Sequence, residues 1–259
     1  MHVRIVACVA AVPNPDNVKW DRLRQLLDTQ EAELVLNPVD RNALELAASL
    51  AKQMGATFDA TCAGVGASAA LREAAVFGAK RLVAIADGAL ENADASGVAP
   101  ALAAAIGHLG GADVVFCGAS TSSIGSGALP GLLSARLNAD LFADAVSTDA
   151  GDAGPAVTVL GPSELWRMSL TTPAVVAAAP FGIDARAISP LLLMRASKQP
   201  IESVTLAEIG CETPLPATGA TDGAFTPARS KKTMGLVEGI DAGERAVTLI
   251  SVLRERFAL

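Results

Sequence analysis

Three times in the first half of this chain a β-type run gives way to a small-residue turn and then to an amphipathic stretch. The predicted strands fall at 3–9, 57–63, 81–86 and 113–117, with helices between them. From Arg41 to Met54 the residues Ala43, Leu46, Ala47, Leu50, Ala51 and Met54 share one face, and Gly55 follows as a stop signal. Ser68 to Phe77 repeats the pattern before Gly78, and Gly97 to Leu109 repeats it before Gly110-Gly111. Strands that alternate with helices imply right-handed βαβ units and an open, mainly parallel sheet with helices on both faces. In such sheets ligands bind outside the carboxyl ends of the strands.

The segment Asp113 to Leu133 is where that rule points first. A short apolar run leads into a loop of glycine and hydroxyl residues, and a helical pattern follows. Gly118, Gly125 and Gly127 let backbone approach a ligand closely, while Ser120, Thr121, Ser122, Ser123 and Ser126 offer hydroxyls to a helix end or to phosphate oxygens. The loop has no acid, His, Lys or Arg. It suits holding a nucleotide better than reacting with one. It is neither a Walker A loop, which needs a Lys, nor a dinucleotide fingerprint, whose spacing it lacks.

After about residue 145 the texture changes. Ala156–Gly161, Leu165–Leu170 and Ala174–Ala179 are β-prone runs separated by turns, which predicts an antiparallel hairpin plus one strand added to the sheet. Pro190 to Ala196 suggests a helix, and Glu212 to Ser230 reads as an extended arm or linker. The last segment, Gly243 to Leu259, is amphipathic, with Ala246, Leu249, Ile250, Leu253 and Phe257 on one face; it packs on the parent domain or on a partner subunit. The expected division is a domain over 1–211 and an arm with a terminal helix over 212–259.

Composition narrows the function. A net charge of −7 argues against nucleic-acid or anionic-membrane binding. Apolar runs are too short to span a bilayer, so no membrane insertion is expected, and the N-terminus lacks the basic flank and cleavage site of a signal peptide, which points to a cytoplasmic protein. Four cysteines at 8, 62, 117 and 211, with no CxxC spacing and two histidines in all, give no zinc signature. Cys8, Cys62 and Cys117 each fall near the end of a predicted strand, on the loop's edge of the sheet. They read as buried structural thiols or, alternatively, as a reactive cluster. A hydrolase built on Ser122 or Cys117 lacks a Gly-x-Ser-x-Gly elbow and a paired imidazole, and His108 lies within the third helix.

Asn37-Pro-Val-Asp-Arg-Asn-Ala-Leu-Glu45 precedes the first strong helix. Pro38 stiffens the turn, Asp40 can N-cap the helix and Asn37 can close an Asx-turn. A functional reading adds that Asn37 presents polar groups to an adenine ring.

Several of these segments, in order, resemble the beta subunit of an electron transfer flavoprotein. Asn37-Pro-Val-Asp-Arg-Asn-Ala-Leu-Glu45 is similar to the family's Asn-Pro-Phe-Asp-Glu-x-Ala-Leu-Glu, and Leu71-Arg-Glu-Ala-Ala-Val-Phe-Gly-Ala-Lys-Arg81 to its Leu-Arg-x-Ala-Leu-Ala-Met-Gly-Ala-Asp-Arg. Val9-Ala-Ala-Val-Pro13, Met194-Arg-Ala-Ser-Lys-Gln-Pro-Ile201 and Leu206-Ala-Glu-Ile-Gly210 match further family segments. The resemblance implies a Rossmann-like, adenine-nucleotide alpha-hydrolase-like fold and a heterodimer with an alpha subunit. That subunit holds most of an FAD, which takes electrons from a flavin-dependent dehydrogenase. No catalytic side chain is implied in the beta chain. AMP would be buried among Cys8, Val9, Ala10, Asn37, Val39, Cys62, Ala63, Gly118, Ser120, Thr121, Ser122, Ser123, Gly125, Ser126 and Gly127; bifurcating relatives place a second FAD there. The loop departs from the family in carrying Ser122-Ser123 and Ser126-Gly127 where Asp residues and Asn-Gln-Thr-Gly are usual. The alternative from another class is a stand-alone adenine-nucleotide-binding regulatory module.

Overall fold

Unbroken apolar runs build one sheet with a core on each side. The structure, a computed structural model, describes residues 3–21, 23, 26–29, 31–91, 93–122, 126–151, 154–211 and 236–257. Its contacts divide the chain into two units, Met1–Ala224 and Phe225–Leu259. The first unit opens with β1 (Ile5–Val9), β2 (Ala11–Pro13), β3 (Lys19–Asp21), β4 (Leu26–Asp28) and β5 (Leu34–Leu36). Helix α1 (Pro38–Gln53), β6 (Phe58–Ala63), α2 (Ala67–Val76), β7 (Leu82–Ile85), α3 (Ala95–His108), β8 (Val114–Gly118) and α4 (Leu129–Leu137) follow. Then come β9 (Asp140–Asp149), β10 (Ala156–Leu160), β11 (Leu165–Ser169), β12 (Ala174–Ala178), α5 (Pro190–Ala196) and β13 (Glu202–Val204).

Among the described residues nine strands form the main sheet in the order β11-β10-β9-β12-β8-β1-β6-β7-β13. All neighbours are parallel except β9 with β10 and β10 with β11. The expected fold class, an open, mainly parallel α/β sheet with an added antiparallel hairpin, is the fold observed. Period-2 side-chain placement explains the two cores. Ile5, Ala7 and Val9 of β1 join Phe116 of β8 under α1 and α2, while Val6 and Cys8 join Val115 and Cys117 under α3 and α4. Burial on both faces is why β1 reads as the unbroken run Ile-Val-Ala-Cys-Val.

Two strands of the main sheet escaped the sequence reading, as did the three-residue strands β2, β3, β4 and β5 outside it. β9 carries three aspartates, a residue depleted in strands, and its buried positions Phe142, Ala145 and Thr148 recur every third residue rather than every second. The cause is a bulge: Asp144 has φ 53°, and the register shifts on both sides of the strand. β13 is a three-residue edge strand, too short to leave a pattern. Helix α5 forms with Pro190 in its first turn and Ser189 Oγ accepting from Leu192 N at 3.3 Å.

The second unit contains α6 (Ala242–Phe257), in which Ala246, Leu249, Ile250 and Leu253 recur at helical spacing. The predicted arm at 212–230 lies outside the described residues. No helix among the described residues is long and apolar enough to cross a membrane.

Candidate functional site

The first turn of α1 ties together the carboxyl ends of three strands. Pro38 stands in that turn and Asn37 at the N-cap, but the Asn37 side chain does not cap the helix. Its Nδ2 donates to Ser120 O at 2.9 Å and its Oδ1 accepts from Ser122 N at 3.1 Å. The amide therefore fixes the loop after β8 rather than closing an Asx-turn. Asp40 is likewise not the N-cap expected from the sequence. It sits inside the helix, almost fully buried, where Oδ2 accepts from Ala10 N at 2.7 Å and Oδ1 from Gly118 N at 2.9 Å. One carboxyl group thus joins the ends of β1 and β8. Asn42 Nδ2 donates to Ala179 O at 2.8 Å and secures the end of β12.

Burial pushes the Asp40 carboxyl up to about 7, while the N–H groups of Ala10 and Gly118 and the Asn37 side chain draw it down. The fit is tight. A Cβ on Gly118 would overlap Asp40 Oδ1 and come within 3.2 Å of both Asp40 N and Val39 C, so only glycine lets the helix end approach this strand.

Beside this clamp lies a cleft of about 510 Å³ at the carboxyl ends of β1, β6 and β8. It occupies the topological switch point, because β1 leads through α1 to β6 on one side whereas α3 returns the chain to β8 on the other. Val9, Leu34, Val98 and Leu102 give it apolar walls; Ser120, Thr121, Ser126 and Gly127 border it from the loop. Its two helix ends differ. At α4 the N-cap residue Ala128 makes no side-chain cap bond, although Ser126 Oγ accepts from Ala128 N at 3.4 Å, and this end, which adjoins Gly127 and Leu129, presents backbone donors. At α3, Asp94 is the N-cap, and Glu91 stands nearby, so that end presents carboxylates. No described Lys, Arg or His lines the cleft.

The electron transfer flavoprotein domain matches residues 26–209, more than half of the chain and the α/β unit from β4 through β13. The chain belongs to the electron transfer flavoprotein family. A search of curated proteins gives no match. Proteins of this family are flavin-associated electron carriers that work with partner subunits and dehydrogenases.

In this flavoprotein the structure brings most of the sequence-predicted residues to one place. Cys8, Val9, Ala10, Ala63, Gly118, Ser120, Thr121, Ser126 and Gly127 line the cleft. Asn37 and Ser122 stand behind it, bonded to each other, and Val39 and Cys62 also lie off its wall. Ser123 and Gly125 are outside the described residues. Sequence reasoning missed Asp40 as a wall residue and missed Glu91 and Asp94 altogether, although Asp94 followed by Ser96 and Gly97 carries an N-cap signal at the start of the third helix.

The thiols sit near strand ends as expected. Burial raises Cys8 and Cys117 well above the usual thiol range and Cys62 to about 12, with the Asp40 charge adding to each. Among the described residues no His, Cys, Asp and Glu side chains group as metal ligands would. Treated with iodoacetamide at pH 8, the native protein is expected to label at half-buried Cys211 at least tenfold faster than at the other three, as peptide mass mapping would show. Equal labelling of Cys8 and Cys211 would contradict thiol burial.

Proposed function

We propose that this chain is the beta subunit of a heterodimeric electron transfer flavoprotein, whose cleft buries an adenylate as a structural ligand. The observation that carries the reading is the cleft at the switch point of an α/β unit that the family model largely covers, with apolar walls, loop hydroxyls and, among the described residues, no Lys, Arg or His on its lining. The beta assignment draws support from the order of the motifs at Asn37–Glu45, Leu71–Arg81 and Met194–Ile201.

The donor set suits an adenylate. Apolar walls accept the base, the α4 end and Ser126 accept the phosphate, and the volume lies within the range of small-ligand sites. The FAD, held mostly by the alpha subunit, supplies the redox chemistry by taking electrons from a flavin-dependent dehydrogenase and passing them on. This chain supplies a wall near the flavin and a rigid body to carry it. The amphipathic face of α6, with the segment before it, wraps the alpha subunit. The compartment proposed is the cytoplasm.

Co-expression with the alpha subunit is expected to yield a yellow heterodimer whose flavin absorbance is bleached by a dehydrogenase and its substrate. A stable colourless heterodimer would overturn the assignment. A chain that stays alone and still binds AMP would favour the regulatory module instead.

A further inference from the structure

Resting on the adenylate reading, we propose that Asp94 is the ribose-recognition residue of this cleft, accepting a hydrogen bond from a 2′- or 3′-hydroxyl through Oδ2. Three carboxylates among the described residues line the cleft, and only one is both held rigidly and left with an acceptor to spare. Asp40 gives one oxygen to Ala10 N and the other to Gly118 N. Glu91 stands exposed at the rim.

Asp94 differs because all its helix-capping bonds fall on Oδ1, which accepts from Ser96 N at 2.9 Å, Ser96 Oγ at 2.5 Å and Gly97 N at 3.1 Å. The cap fixes the carboxylate plane of this cleft-lining residue, and among the described residues no hydrogen bond falls on Oδ2. The Ser96 hydroxyl and the Gly97 N–H also hold the group below the usual carboxylate range, so it is an acceptor at neutral pH. A ribose diol presents donors that a carboxylate at a strand-to-helix connection can take, the arrangement used in dinucleotide-binding folds. The loop cannot fill this role at Ser122, whose N–H is given to Asn37 and which lies off the wall.

The polarity of the cleft fits the assignment. With the phosphate at the α4 end, the sugar spans toward the acidic α3 end, away from which a phosphate is repelled.

The test compares AMP with 2′,3′-dideoxy-AMP by calorimetry on the nucleotide-stripped heterodimer. The wild type is expected to bind AMP at least about tenfold more tightly, the effect of one hydrogen bond to a charged acceptor. Asp94→Ser keeps a capping oxygen for the α3 N–H groups, so its unfolding midpoint stays near that of the wild type while the preference falls to about onefold. Asp94→Asn, a second capping variant, loses the charged acceptor but can still donate from its amide to a hydroxyl oxygen, and is expected to reduce the preference to a few-fold. Wild-type binding of both ligands with equal affinity, or retention of the preference in both variants, would overturn the role of Asp94 alone. Failure of AMP to bind the wild type would overturn the adenylate reading and this proposal with it.

Discussion

Gly118→Ala lowers the stability of the α/β unit by about 3 kcal/mol, read from the urea midpoint. The new methyl group meets the Asp40 carboxyl, which bonds to Ala10 N and Gly118 N hold in place, and the α1 backbone at Val39 and Asp40. Relief requires α1 to lift from β8. That movement stretches the Gly118 N–H bond to Asp40 and reaches the Asn37 contacts with Ser120 and Ser122. Gly107→Ala in α3 is the control. Nothing lies within 4 Å of its Cβ position, and a helical alanine there holds or slightly raises the midpoint.

Asp40→Asn is expected to cost about 2–3 kcal/mol at pH 5. Ala10 N and Gly118 N both need acceptors, and either oxygen of a carboxyl group can serve even when one is protonated. An asparagine offers one acceptor and turns an NH₂ group toward the other donor. The pH dependence gives a second signature. In the folded state the Asp40 carboxyl titrates near 7, whereas its ordinary value is 3.8, so between those values the native protein holds a proton that the unfolded chain has released. Stability conferred by this group is therefore fully present below about pH 4 and is lost as pH rises through about 7, by up to about 4 kcal/mol. The carboxyls of Glu45, Asp87, Asp94, Glu202 and Glu208 are lowered, so their opposing contribution is confined to more acidic solution. Wild type should show a lower urea midpoint at pH 8 than at pH 5, and Asp40→Asn a flat profile over that range. A wild-type midpoint that rises from pH 5 to 8 would contradict the burial of this carboxyl. Asp40→Asn and Gly118→Ala disturb one contact, so their costs combined in one protein fall short of their sum.

The parallel centre of the sheet was legible because β1, β6, β7 and β8 announce themselves as apolar runs, with helical periodicity after β6, β7 and β8. β9 was not, because its bulge at Asp144 destroys the alternation by which strands are read. The site was half legible for a related reason. Ser120, Ser126 and Gly127 carry a composition that signals a ligand loop, but Asp40 looks like an ordinary helix cap in sequence. Its partners are backbone groups 30 and 78 residues away, and backbone donors have no sequence signature. Asp94 was hidden by the opposite effect, since its local capping role accounts for its presence and its second oxygen leaves no mark.

Nucleotides released by denaturing the purified complex of this chain with the proposed alpha subunit test the account most directly. The expected content is one FAD and one adenylate per heterodimer, with the adenylate lost and the FAD retained in the Gly118→Ala complex. A wild-type complex that releases neither FAD nor an adenylate would contradict the flavoprotein assignment and the role of the cleft together.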